Sequence, residues 1–378
     1  MEDERQALAE YLASIRDPRL ERTKRHKLID ILIIGICSLI CGAETWEEME
    51  LFGRSKEDWF KTFLELPSGI PSHDTIARVF ARIDPNEFRE SFLGWIGSIY
   101  RITGKEVIAI DGKQSRRTHD RRNGKGAVQI VSAWARENGL VLGQKKVDDK
   151  SNEITAIPEL LKILEVSGCI VTIDAMGCQT EIASQIVGKG ADYVLAVKGN
   201  QGMLLEDLTK YFDWALKDKF KQTAYTYHET FDGEHGRQER RRYWSTEDIE
   251  WVRNKKAWKN LKSIAMVESE RTIEGVTSSE KRYYISSLPG QAKQVGEAIR
   301  GHWSIENSLH WVLDVAFHED QSRIRKDHAP ENMATLRHIA LNLLKHDKAT
   351  DKTRRVGIKS RRLNAGWNES YLLKVLGF

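Results

Sequence analysis

The chain has 378 residues, of which 40% are hydrophobic and 30% charged, and a formal net charge of +4. These totals describe an ordinary soluble globular protein with room for two or three domains, and they permit nucleic-acid binding without arguing for it. The four cysteines, Cys37, Cys41, Cys169 and Cys178, form no CxxC pair and no zinc-ligand spacing, which excludes a zinc-ribbon frame and leaves buried thiols of a reducing cytosol.

Met1–Arg22 mixes acidic and basic residues and shows no secretory leader pattern. The apolar run Leu28–Ala43 contains Asp30 and is too short to span a bilayer comfortably. Leu28, Leu32, Gly35 and Leu39 recur in it at helical spacing, so it reads as a core helix of a cytoplasmic protein with no membrane partner. Residues 1–103 as a whole read as an all-helical domain. Within them Asp74–Arg82 follows the turn-forming PSGIPS and sets Ile76, Val79, Phe80 and Ile83 on one face, with Thr75, Arg78 and Arg82 projecting away. That pattern suits the second helix of a helix-turn-helix pair offering Thr75 and Arg78 to DNA, and it equally suits a plain helical bundle with solvated arginines.

From residue 104 the pattern becomes α/β. Val107–Ile110, Ala127–Ala135 and Leu140–Val147 read as strands, the last two joined by a turn around Asn138-Gly139. A helix over Ile154–Leu164, a strand at Ile170–Ile173, a helix near Glu181–Val187 and a strand at Tyr193–Val197 follow. This is the element order of a ribonuclease-H-like fold, in which the first and fourth strands lie side by side. Those two strands end on Asp111 and Asp174, and a carboxylate at the end of a buried strand is costly unless a cation or donor meets it. An Asp in that position is also an ordinary turn residue or helix N-cap.

Residues 217–288 break the α/β rhythm and read as a β-rich insertion, with alternating stretches at Ser263–Glu268 and Arg282–Ser286. Arg237, Arg240, Arg241 and Arg242 cluster there beside aromatics, a patch suited to a DNA backbone or, alternatively, a charged strand edge. Lys198 and Asn200 follow a strand of the sheet and are further candidate DNA contacts. A helix over Ala292–Phe317 then carries Glu306 on one stripe with His302, Trp303, Leu309, His310 and Leu313. An acid in such a stripe has to be paired, protonated or metal-bound. A zinc site from His302, Glu306 and His310 is disfavoured, since ligands four apart on a straight helix do not converge on one tetrahedral ion. With Asp111 and Asp174, Glu306 completes a trio able to hold two Mg²⁺ ions, with Mn²⁺ able to substitute. A second helix reads over Asn332–Lys345. Residues 348–378 read as a flexible basic tail bearing Lys352, Arg354, Arg355, Lys359, Arg361 and Arg362.

The motifs LIDILIIGICSLICGAETWEEME, IPSHDTIARVF, IAIDGK, KSNEITAIPELL, TIDAMGCQ, YVLAVKGNQ, HGRQERR and GHWSIENSLHWVLDVAFHED together resemble the DDE transposases of bacterial insertion sequences. More narrowly, they resemble the H-repeat-associated transposases. The resemblance covers nearly the whole chain. It implies a helical amino-terminal region followed by a ribonuclease-H-like catalytic domain over 104–347, with Asp111, Asp174 and Glu306 as the DDE triad. It further implies metal-dependent cleavage and strand transfer at element ends, with double-stranded DNA as partner and a homodimer on DNA. One departure stands out. The wider superfamily places Tyr, Arg and Lys where this chain has Ile299, His302 and Leu313, so His302 would take the arginine's place at phosphate. Glu319 and Asp320 are rivals to Glu306 as third ligand. A catalytically inactive DNA-binding relic and a nuclease without strand transfer are the competing functions.

Overall fold

Thirteen residues form the helix Leu28–Ile40, and eleven of them, from Asp30 to Ile40, are buried. A helix apolar on every side has to be wrapped by others. In the computed structural model, which describes residues 7–100, 104–119, 125–148, 151–234, 237–347 and 356–377, that is what the amino-terminal segment does. It consists of α1 (Ala7–Ala13), α2 (Leu28–Ile40), α3 (Trp46–Ser55), α4 (Glu57–Phe60), α5 (His73–Arg82) and α6 (Pro85–Ile99). A capping box between Thr45 and Glu48 starts α3. Asp84 caps α6, with Pro85 in its first turn. On α5, Ile76, Val79 and Phe80 are buried and Trp46 stacks on Phe80 at 5.3 Å, while Arg78 and Arg82 are exposed.

The sheet begins with β1 (Val107–Gln114), β2 (Gln129–Ala135) and β3 (Leu140–Lys146), an antiparallel meander. Then come α7 (Glu153–Ile163), β4 (Ile170–Ile173), α8 (Thr180–Gly188), β5 (Asp192–Val197) and α9 (Gly202–Lys217). The β2–β3 turn spans residues 136–139 and ends on Gly139 at φ +66°, a left-handed conformation that favours glycine. Buried Glu106 holds that turn by accepting from the Glu137 and Asn138 amides at 3.1 and 2.9 Å.

The β-rich stretch is four antiparallel strands, β6 (Thr226–Glu234), β7 (Arg237–Thr246), β8 (Ser263–Ile273) and β9 (Val276–Ser286). They do not form a separate sheet. β9 pairs with β5, giving one nine-stranded sheet in the order β3-β2-β1-β4-β5-β9-β8-β7-β6. β4 lies between β1 and β5 and pairs in parallel with both.

Helix α10 (Ala292–Ile305) crosses this sheet, and α11 (Trp311–Phe317) continues it after a π-helical turn at Glu306–His310. α12 (Ala329–His346) is buried along most of its length and packs on α2, α5, α6 and β3. One hydrophobic core therefore runs from the amino-terminal helices through the sheet to α12. The end of the chain departs from the expected loose tail. α13 (Ile358–Trp367) and α14 (Glu369–Leu376) pack on the body because Ala365, Tyr371, Leu372, Val375 and Leu376 supply a buried face. Arg362 is buried too, donating to the Leu39 carbonyl at 2.8 Å; Lys352, Arg354 and Arg355 lie outside the described residues. Among the described residues no helix is long and apolar enough to cross a membrane.

Candidate active site

β1 and β4 are parallel and in register, Ile110 opposite Ile173, so the next residue on each strand is an aspartate and the two stand side by side. β4 stops there because Asp174 caps a short 3-10 turn, its Oδ1 accepting from the Met176 and Gly177 amides at 3.0 and 3.4 Å. The cap uses Oδ1 alone, so it leaves Oδ2 of the same carboxylate to face the end of β1.

A third acid arrives from α7. Asn152 caps that helix, its side chain accepting from the Ile154 amide at 3.0 Å, which puts Glu153 at the first helical position beside the strand ends. Gln129 of β2 donates to Glu153 Oε1 at 2.5 Å. Gly112 makes room: a Cβ there would lie 2.0 Å from Glu153 Oε1. One carboxylate oxygen from each of Asp111, Glu153 and Asp174 lies within 4.8 Å of the others.

The fourth acid comes from the helix laid across the sheet. Gly301 brings α10 against β1, where a Cβ would meet Val107 Cγ1 at 2.9 Å. Glu306 then opens the π-helical turn, a local widening often found at functional positions. Asp111, Glu306 and His310 form a second group within 4.8 Å, so Asp111 belongs to both. His310 is buried; its Nδ1 lies 3.6 Å from Asp111 and 3.5 Å from Glu306, and its Nε2 has no hydrogen-bond partner.

The electrostatics follow from this crowding. Burial, with Glu306 and Asp174 nearby, pushes Asp111 up to about 8. Hydrogen bonding and charge from His310 outweigh burial at Glu306 and hold it down at about 2. Burial and Asp174 raise Glu153. Among the described residues no lysine or arginine stands within ion-pair distance of any of the four acids, the imidazole of His310 being the one basic group that does. Four carboxylates in this state make a strong demand for cations.

Residues 102–343 match the family described as Transposase DDE domain, and residues 9–96 match its DDE_Tnp_1-associated region. The chain belongs to the DDE transposase family. The transposase is 43% identical over 98% of its length to YncI of Escherichia coli O157:H7, a provisionally named transposase of which 94% is covered. It is 41% identical, again over 98% of its length, to YhhI of Escherichia coli K12, provisionally named an H repeat-associated transposase and covered over 97%. The resemblance to H-repeat-associated transposases is thus borne out. The solved synaptic complex of piggyBac transposase with hairpin DNA superposes at a TM-score of 0.44 and 12% identity, over 98% of this chain and 76% of that one.

The other residues singled out from the sequence have definite places in the transposase. Glu319 and Asp320 stand apart from the cluster. They face Lys113 Nζ at 3.6 and 3.1 Å, with Asp314 at 2.8 Å, and are also met by Arg337 and Arg116 respectively. His302 turns Nδ1 to Thr172 Oγ1 at 3.2 Å, and burial pushes its pKa down. Lys198 is exposed, whereas the Asn200 and Gln201 amides donate to the Ala175 and Cys178 carbonyls at 2.6 and 2.8 Å and tie the loop after β5 to the loop after β4.

Three arginines of the cluster are already paired. Arg240 meets Glu229, Arg241 meets Asp232 and Glu239, and Arg242 meets Glu268 and Glu270. Arg237 belongs to β7 at its start. Thr75 Oγ1 lies 3.1 Å from Ser72 Oγ, and Arg78 Nε donates to the Asp74 carbonyl at 2.9 Å. Sequence reasoning missed Glu153, which stands in the quoted motif KSNEITAIPELL where it passes for an ordinary first-turn acid, and Lys113, in IAIDGK two residues after Asp111 on the same strand face.

Proposed function

We propose that the transposase cuts DNA at element ends and transfers the freed strand to target DNA, with Asp111, Asp174 and Glu306 as its catalytic carboxylates. The observation that carries this reading is the convergence of Glu153, Asp174 and Glu306 on Asp111, with no lysine or arginine among the described residues beside them. The donor set fits hard divalent ions: it is almost all carboxylate oxygen, it faces an uncompensated charge, and Gly112 clears the space. A pair of Mg²⁺ ions, or Mn²⁺ in their place, would polarise the scissile phosphate and favour the deprotonated form of water or of a 3′-hydroxyl. Asp111 would be the carboxylate common to both positions, Asp174 and Glu306 flanking it.

The strand order β3-β2-β1-β4-β5, parallel only across β1, β4 and β5, supports a ribonuclease-H-like catalytic unit over residues 104–347 preceded by the helical segment 1–103. DNA would approach past Lys198 and Asn200 and along a groove of about 860 Å³ between the β-rich strands and α10, lined by Arg282, Arg300, Trp303 and Asn307 among others. His302, held at Thr172 Oγ1 of β4, would serve as a hydrogen-bonding group behind the acids. Arg237, Arg240, Arg241 and Arg242 would contribute where phosphates take over from their carboxylate partners, with Thr75 and Arg78 on α5 as outlying contacts. Bringing two element ends together calls for a second copy on DNA.

Asp111→Asn tests the reading directly. It should abolish Mg²⁺-dependent nicking of element-end DNA while leaving end binding in a gel-shift assay within a few-fold of wild type. Cutting retained by the purified variant would refute the assignment. Precut ends incubated with target DNA separate a transposase from a plain nuclease, which yields no joined product.

A further inference from the structure

We infer that Glu153 is a fourth carboxylate of the metal-binding centre, serving the Asp174 side of Asp111 while Glu306 serves the other. This rests on reading the acid cluster as the metal centre of the transposase, and it goes beyond the triad in adding a residue and dividing the cluster into two halves.

The argument begins with the two groups of ligand atoms. Asp111, Glu153 and Asp174 form one, and Asp111, Glu306 and His310 form the other; only Asp111 is shared. Without Glu153, the half of the cluster at Asp174 would hold two carboxylates, one of them engaged at Oδ1 by its own cap. With Glu153 it holds three. The second half is closed by His310, buried, whose Nδ1 lies 3.6 Å from Asp111 and 3.5 Å from Glu306.

A bland role for Glu153 is available, and the geometry argues against it. An acid in the first turn of a helix is favoured by the helix dipole and ordinarily faces its own amides or water. Glu153 is instead folded over Gly112 toward the ends of β1 and β4. Among the described residues its one side-chain hydrogen bond, from Gln129 to Oε1, sets the carboxylate's orientation and does not involve Oε2. A glutamine would accept the same bond from Gln129 without adding charge beside Asp174. A carboxylate so placed is repelled by its neighbours in the metal-free protein and is stabilised only when a cation joins them.

The test measures Mn²⁺ binding to the full-length protein without DNA, from the loss of the free-ion electron paramagnetic resonance signal. Wild type should bind two ions. Glu153→Gln should weaken one of them by at least about tenfold and leave the other near its wild-type affinity, and Glu306→Gln should weaken the opposite one. Glu153→Asp, shorter but still charged, should bind better than Glu153→Gln. A merely structural role predicts the reverse order, because glutamine preserves shape and the bond to Gln129. Urea unfolding of the metal-free variants checks folding; Glu153→Gln should be no less stable than wild type. Unchanged stoichiometry and affinity in Glu153→Gln, alongside loss in Asp111→Asn, overturns this inference alone. Unchanged binding in Asp111→Asn overturns the metal centre itself.

Discussion

Lys113→Met removes an ammonium that stands 2.8 Å from Asp314, 3.1 Å from Asp320 and 3.6 Å from Glu319. Burial alone would push that lysine's pKa down, yet the three carboxylates outweigh it and hold it above the usual range. Breaking a buried ion pair from one side typically costs about 3–5 kcal/mol, chiefly because the remaining charge is left buried. Here the lower end applies. Asp314 and Asp320 stay partly hydrated, with side chains 35% and 24% exposed, and Arg116 and Arg337 still meet Asp320 and Glu319. About 3 kcal/mol, set against an unfolding entropy of roughly 0.8 kcal/mol/K for a chain of this length, is about 4 °C in Tm. Lys113 also ties the strand bearing Asp111 to the segment that follows Glu306, so Mn²⁺ affinity should fall about tenfold or more. Urea unfolding and Mn²⁺ titration read both effects. Adding Asp320→Asn should restore part of the stability. A loss below about 1 kcal/mol with unaltered metal binding would refute the reasoning, for it would mean the three acids are solvated without the lysine.

Gly112→Ala should place a methyl group where Glu153 Oε1 now lies, 2.0 Å from the ideal Cβ position. Because that oxygen ends a flexible side chain, stability should change by about 1 kcal/mol or less while Mg²⁺-dependent nicking falls steeply. Asp111, raised to about 8 in the metal-free protein, favours the folded state most at acid pH, and that contribution is lost as pH rises through the folded value. Metal-free Asp111→Asn should therefore gain stability over wild type between pH 5 and pH 8, on the order of 1–3 kcal/mol by urea unfolding after the opposite shift at Glu306 is set against it. Arg362→Ala removes a buried guanidinium bonded to the Leu39 carbonyl and stacked 4.3 Å over Phe317. It should cost about 2–3 kcal/mol in the same assay, whereas a truly loose tail would register nothing.

The paired aspartates were legible because each closes a short β-branched run, and a register set by strand order is a simple consequence of which strands are neighbours. Glu306 was legible as an acid on an otherwise aromatic and apolar stripe. The π-helical turn it opens was not, since uniform helical spacing carries no mark of one extra residue in a turn. The arginines of β7 show the same limit from another side. Arg242 lies opposite Glu229 on one neighbouring strand and Glu268 on the other, carboxylates far along the chain that only strand pairing brings near. A basic run in sequence is thus a set of internal ion pairs in space.

From local preferences alone came the helical amino-terminal segment, the α/β order and three of the four clustered acids, because periodicity and strand-end chemistry act over a few residues. Tertiary packing alone decided that Glu153 joins that cluster, that Glu319 and Asp320 belong to Lys113, and that the final helices are built into the body. Each of those outcomes turns on close approach between segments remote in sequence. Distances of that kind are set by how glycines, caps and buried faces fit together, and no short window of residues contains them.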